Sequence, residues 1–238
     1  MKGLLKATFR HNPKDHKILY PKSSCILPIS IEQSYHEGEH LSALIDCVNR
    51  SEFRFCEIAL GDFNQTYTLQ ILEGISPAEA REKALLAGQA WLDRNASLLL
   101  KLKMPYTLHH WIKWLMHPEF KKYKRMIDQE IKTNASFREG FLASVEEFLS
   151  RAQRKIPSKQ LITLENQNLC LNYLIEECAV IMPLWANHYD FDFIIYPAPK
   201  LEAMEVTYQK FVAPYTAKLY WLSLRFKRQE ICQTTFST

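Results

Sequence analysis

Ser30 closes a short apolar run, Ser24-Cys-Ile-Leu-Pro-Ile-Ser30, and the chain turns polar immediately after it. A run bounded so abruptly reads as a buried parallel strand emerging at its C-terminal edge, where open α/β sheets bind their ligands. A helix start after Ser30 would bring backbone N–H groups near its hydroxyl, where they could stabilise an oxyanion. Taken alone, Ser30 reads first as the cap of that helix. Tyr196 closes a second run, Phe191-Asp-Phe-Ile-Ile-Tyr196, which Pro197 stops because it cannot continue a ladder. Tyr173 and Glu177 are four residues apart and share a helix face, while Glu176 points elsewhere. A phenol beside a carboxylate can hold an amino group and pass protons. Spacing alone would make them a surface pair. The segment is otherwise strongly apolar (Leu169, Leu171, Leu174, Ile175, Ala179, Val180, Ile181), and a carboxylate on a buried helix usually has an assigned task.

Two other patterns suggest different chemistry. His36-Glu37-Gly38-Glu39-His40 matches the HExxH of zinc proteases, which need both histidines on one turn of a rigid helix with the glutamate as base. Gly38 weakens a helix between them, and Ile31 to Tyr35 makes no apolar helix face, so the stretch reads as a polar turn and helix start. A serine-hydrolase set could join Ser30 to His188 and Asp190 or Asp192. Yet Ser30 lies in Pro-Ile-Ser-Ile-Glu, without the small glycines of a nucleophile elbow.

The elements that would position these groups alternate. After a polar, basic opening through Pro21, the strand at Ser24–Ser30 precedes helical spacing over Leu41–Val48 and a second strand at Phe53–Gly61. Ser76, Pro77 and Glu79 form a capping box that opens a long helix from Ala78 to about Lys101. Residues 118–155 read as helical throughout, with basic clusters at Lys121 to Arg125 and Arg151 to Lys155. Asn168–Leu184 reads as another helix before the last strand. The alternation predicts an α/β fold, a doubly wound, mostly parallel sheet in a single domain over 1–238.

Composition fits that reading. In 238 residues, 47% hydrophobic and 24% charged residues are ordinary for a globular chain with a sizeable core. A formal charge of +4 permits a polyanionic partner without demanding one. The cysteines (Cys25, Cys47, Cys56, Cys170, Cys178, Cys232) form no CxxC pair and mostly sit in apolar runs, which favours a reducing compartment over a disulfide framework. No signal-type stretch opens the chain and no apolar run approaches a membrane span. A cytoplasmic location is expected.

Taken in order, the pieces resemble cyclodipeptide synthases. That family shows an apolar strand ending in a serine with Ser-Tyr shortly after, here Ser30-Ile-Glu-Gln33-Ser34-Tyr35. It then carries Tyr-x-x-x-Glu on a helix, here Tyr173 to Glu177, and a strand ending in Tyr-His or Tyr-Pro, here Tyr196-Pro197. Between them lies a long helix, similar to Arg81 through Arg94-Asn95. Gln33 and Tyr196-Pro197 look like the subfamily that lacks the asparagine and histidine. The likeness runs over about 24–225. It implies a monomeric Rossmann-type domain similar to the catalytic domains of class-I aminoacyl-tRNA synthetases. It also implies two aminoacyl-tRNAs as partners and a ping-pong reaction without ATP, metal, other cofactor or membrane. By the same likeness Ser30 is the nucleophile, Tyr173 and Glu177 hold the α-amino group, and Tyr196 assists cyclisation. Gln33 and Pro197 join the substrate site, and Ile26, Pro28, Val180 and Ile194 line an apolar side-chain pocket. Pro28 stands where the family usually has a small residue. The tRNA footprint falls on the long helix (Arg81, Lys83, Arg94, Lys101, Lys103) or on Lys121, Lys124 and Arg125, whose density favours the second. A zinc protease using His36, Glu37 and His40 and a non-catalytic tRNA-binding protein are the alternatives.

Overall fold

A computed structural model describes residues 4–10, 19–31 and 33–229; Glu32 and Cys232 lie outside the described residues. Six strands form one sheet in the order β1-β6-β5-β2-β3-β4. β2 (Ser24–Ser30), β3 (Phe55–Gly61), β4 (Tyr106–His110), β5 (Phe193–Tyr196) and β6 (Tyr220–Gln229) run parallel. β1 (Leu4–Phe9) is antiparallel on β6 at the edge. From β2 the chain builds outward to β3 and β4, then crosses to the other side for β5 and β6. The point of reversal lies between β2 and β5, the place where such sheets bind ligands.

Helices cover both faces, and the alternation of strand side chains decides which face each serves. Cys25, Leu27 and Ile29 pack with Leu41, Leu44 and Val48 of α1 (Gly38–Ser51) and with Trp91 of α3 (Pro77–Leu99). Ile26 and Ile194 face the opposite core, built from α5 (Phe120–Thr133), α6 (Ala135–Lys155) and α7 (Leu164–Ala179). Ser30 and Tyr196 share the parity of Ile26 and Ile194, so both side chains point into that second layer. α2 (Gln65–Glu73), a short α4 (Ile112–Leu115), α8 (Trp185–His188) and α9 (Glu202–Phe211) complete the set.

The capping box at Ser76 and Glu79 forms as expected, with Pro77 in the first turn. The uninterrupted helix expected over 118–155 does not form. Asn134 adopts an extended backbone and accepts the Phe137 N–H at 3.2 Å, ending α5 and capping α6. α7 starts earlier than expected, capped by Thr163 on the Asn166 N–H. It then continues through a π-turn at Val180–Leu184, where Pro183 has no N–H to give an ordinary ladder. The stretch Leu164–His188 has the length and hydropathy of a membrane span, but 72% of its most apolar window is buried within the fold, so it is a core helix. Cys25, Cys47, Cys56, Cys170 and Cys178 are buried free thiols.

Asp62, fully buried just past β3, fixes the turn beside the switch point. Its Oδ2 lies 2.6 Å from His110 Nδ1, and its Oδ1 accepts the N–H groups of Phe63 at 2.7 Å and Trp111 at 3.1 Å. Gly88 of α3 leaves room for it, since a Cβ there would stand 2.6 Å from Asp62 Cβ. Alanine gains about 1 kcal/mol of helix propensity over glycine, but overpacking of this kind costs about 1–3 kcal/mol. Gly88→Ala is expected to lower the urea midpoint at constant m-value; an unchanged or raised midpoint would show that the turn yields freely.

Candidate active site

Pro28 opens the site. β2 pairs with β3 along its whole length, but its register with β5 covers only Cys25↔Phe193 and Ile26↔Ile194. A proline inside a central strand would normally remove a ladder bond; this one sits where β2 and β5 have already parted. Ser30 and Tyr196 end the two strands and bridge the gap between them, Oγ to phenol oxygen at 2.8 Å. Tyr35 extends the chain of hydroxyls, 3.0 Å from the Tyr196 oxygen. Trp221 of β6 lies against the Tyr196 ring at 5.6 Å and ties its indole N–H to Ala198 O.

The helix expected directly after Ser30 begins only at Gly38, so Ser30 neither caps it nor faces its N–H groups. A 3-10 turn at Ser34–His36 intervenes. The Ser30 N–H donates to His36 Nδ1 at 2.9 Å, which leaves the imidazole proton on Nε2, a buried atom without a partner. Burial lowers the His36 pKa to about 3, so the ring is neutral and holds the Ser30 backbone. Trp91 fixes the turn by donating to His36 O at 3.0 Å.

Opposite Ser30, Tyr173 donates to Glu177 Oε1 at 2.7 Å, while Glu177 Oε2 is buried with no partner. Burial raises Glu177 to about 7, with the Tyr173 bond opposing it. Burial likewise raises Tyr173, Tyr196 and Tyr35, so all three phenols keep their protons at neutral pH. These groups line one cavity of about 420 Å³. A weakly held carboxyl proton beside a hydroxyl nucleophile and several neutral donors suits acyl transfer.

Gln33 and Pro28 also line the cavity. Ile26, Val180 and Ile194 do not; they are fully buried in the core behind it. Ile26 lies four residues down β2 from Ser30, while Trp111 lines the cavity. Pro197 is buried away from it, and Ala198 and Pro199 stand on its wall instead. Tyr35 and Asn64 add to the polar lining, and Glu147, Arg151 and Lys155 of α6 bring charge to the wall. Tyr35 was within the Ser30 motif, but its role depends on a turn that only the fold reveals.

The rival patterns fall apart in space. Glu37 accepts from Arg94 at 2.8 Å and from Asn95 at 3.0 Å, His40 stands edge-on to Phe226, and Gly38 has a φ of +50° at the break between turn and helix. The two histidines therefore share no helical turn. His188 bonds Tyr123 at 3.0 Å, Asp190 pairs with Arg54 and Lys218, and Asp192 accepts the Ser24 N–H, none of them lining the cavity with Ser30.

The arrangement defines a Rossmann-type domain with a serine–tyrosine pair at its switch point. No protein-family sequence model matches the chain, and no curated protein does. Among solved structures it is similar to a CDPS (cyclodipeptide synthase) from Fluoribacter dumoffii, with 33% identity over 95% of this chain and 100% of that one and a TM-score of 0.89. A cyclodipeptide synthase from Candidatus Glomeribacter gigasporarum, bound to Phe-tRNAPhe, is 18% identical over 90% of this chain and 92% of its own, with a TM-score of 0.71. The fold also extends to a tyrosyl-tRNA synthetase from Archaeoglobus fulgidus, 10% identical over 90% of this chain and 60% of that chain at a TM-score of 0.55. The chain belongs to the cyclodipeptide synthase family.

The raised Glu177 pKa has a stability consequence. Between the ordinary 4.5 and about 7, the native state keeps a proton that the unfolded chain has released. Stability therefore falls as pH rises through that interval and is level above it. Glu177→Gln removes this loss, which corresponds to roughly 3 kcal/mol at full extent. Urea unfolding at pH 5 and pH 8 should show the variant gaining on the wild type as pH rises; an equal gap at both would mean Glu177 is not so perturbed.

Proposed function

We propose that this chain joins the aminoacyl groups of two aminoacyl-tRNAs into a cyclodipeptide by a ping-pong route. Ser30 Oγ attacks the first ester, its proton leaves with the ribose oxygen of the departing tRNA, and an aminoacyl-Ser30 ester remains. The α-amine of that group attacks the second ester to give a dipeptidyl-enzyme, and the second tRNA leaves with the proton. The remaining α-amine then attacks the Ser30 ester, closing the ring and restoring the hydroxyl. The ester is already activated, so no ATP is required. Tyr173 and Glu177 bind the α-amino group, Glu177 accepts and returns its proton, and Tyr196 donates to the Ser30 oxygen as it leaves. The observation that carries this reading is the 2.8 Å contact between Ser30 and Tyr196 in a cavity that also holds the half-satisfied Glu177 carboxyl.

Ser30→Ala should fold normally, because one part-buried hydroxyl contributes little stability. It should produce no cyclic dipeptide in the medium of an expressing bacterial host, and no acyl-enzyme when mixed with labelled aminoacyl-tRNA. Undiminished product from this variant would refute the covalent route.

Positive charge outside the cavity would receive the tRNA. On the long helix and beyond it, Lys83 is paired with Glu73, Arg94 with Glu37, and Arg81 lies over the Phe63 ring, leaving Lys101 and Lys103 exposed. In the α5 cluster Lys124 lies 2.6 Å from Glu176, while Lys121 and Arg125 are exposed on one face without an ion pair among the described residues. We assign the main contact to Lys121 and Arg125, with Lys124 as a structural neighbour. Charge reversal of both to Glu should weaken tRNA binding and reduce the slope of log affinity against log salt by about one per cation removed. An unchanged slope would move the footprint to Lys101 and Lys103.

A further inference from the structure

An asparagine that opens a helix ordinarily turns its side chain back onto the first free N–H groups. Asn64 stands at the N-cap of α2 and makes no such bond. The N–H groups of Gln65 and Thr66 go instead to the carbonyls of Asp62 and Phe63, at 3.0 and 3.1 Å. The residue is only 8% exposed, its Oδ1 is buried without a partner, and it lines the same cavity as Ser30 and Glu177. Its place beside the nucleophile is fixed through Gly61, which pairs in register with Ser30. A Cβ on Gly61 would stand 3.2 Å from Asn64 Oδ1 and 2.8 Å from Ile29 O, so the glycine keeps room for the carboxamide against the end of β2.

Leaving a buried acceptor without a donor is costly, and native proteins rarely do so without reason. In a binding cavity the missing donor belongs to the ligand. Glu177 Oε2 is a second acceptor of this kind in the same cavity. An α-ammonium carries three N–H donors, more than one free carboxylate oxygen takes up, and it lies one carbon from the ester that Ser30 attacks. We infer that Asn64 is a further substrate-binding residue, whose Oδ1 accepts an N–H from the α-amino group of an aminoacyl substrate. This rests on the synthase reading.

The test compares acylation of Ser30 by two esters on one tRNA: the aminoacyl form that labels wild type best, and its des-amino acyl counterpart. Wild type should prefer the amino form. Asn64→Leu, which removes the acceptor, should narrow that preference by about tenfold or more, the worth of one hydrogen bond to a charged group. Asn64→Asp keeps an acceptor and should retain the preference. Asn64→Ala provides the same comparison if leucine is not accommodated. An equal loss on both esters, or an unchanged preference, overturns the assignment and leaves the synthase reading standing. Wild type that is acylated by neither ester overturns both.

Discussion

Beyond Ile26, β2 keeps β3 as a neighbour but no longer pairs with β5, and the crevice this leaves is the constraint on which the rest of the site depends. Parallel strands whose connections diverge cannot be closed over by either crossover, so their carboxyl ends stay open. Pro28 makes the opening local, because it has no N–H with which to extend the ladder. The period-two alternation then sends Ser30 and Tyr196 to the same side. Once both strands have parted, a bond between the two side chains does what backbone pairing no longer does. The tyrosine is long enough to span the crevice, and Trp221 on β6 supports it from behind.

The second layer supplies a wall of mixed character. α7 and the π-turn after it reach the cavity with Cys170, Tyr173, Leu174, Glu177 and Ile181, and α6 adds Glu147, Arg151 and Lys155 to its wall. Burying the Glu177 carboxyl with one oxygen unsatisfied costs stability that a donor on a ligand would recover. The same reasoning covers His36. Its imidazole is a poor choice for a deep site in energetic terms, yet its Nδ1 accepts the one backbone N–H at the strand end that β5 has left free. A motif that resembles a metal-binding pair is thus half backbone anchor and half helix start, since Gly38 breaks the helical continuity that would bring the histidines together.

How much of this could be read from the residues depends on whether the signal is local. β2 and β3 are buried on both faces and read as continuous apolar runs, and Tyr173 with Glu177 shows the helical spacing directly. β1, β4 and β6 mix polar or charged residues with apolar ones (LLKATF, YTLHH, YWLSLRFKRQ), as strands with exposed faces do, and carry too little pattern to stand out. The contact between Ser30 and Tyr196 joins residues 166 apart, which no spacing encodes. Pocket depth is equally non-local: Ile26 and Ile194 have the parity of Ser30 and Tyr196, yet they and Val180 are fully buried in the core rather than on the cavity wall. Asn64 carried no signal at all, since an asparagine before a helix is expected to cap it.

The polarity of the site follows from one cause. With the Ser30 N–H held by His36, that amide is not free to meet the charge that develops on an ester oxygen during acyl transfer, so the burden in the proposed reaction falls on side-chain donors. Tyr196 and Tyr35 can carry it only while protonated, and burial keeps them so by raising both phenols. Burial also lifts Glu177 to about 7, where it can take a proton from an amine and give it back without a large driving force in either direction. Opening the cavity to water would lower all three together. The carboxyl would then settle as a fixed anion, and the phenols would lose the low-dielectric surroundings that make them strong donors. In the proposed reaction, acid–base competence and oxyanion stabilisation would therefore both rest on the burial of Glu177, Tyr196 and Tyr35.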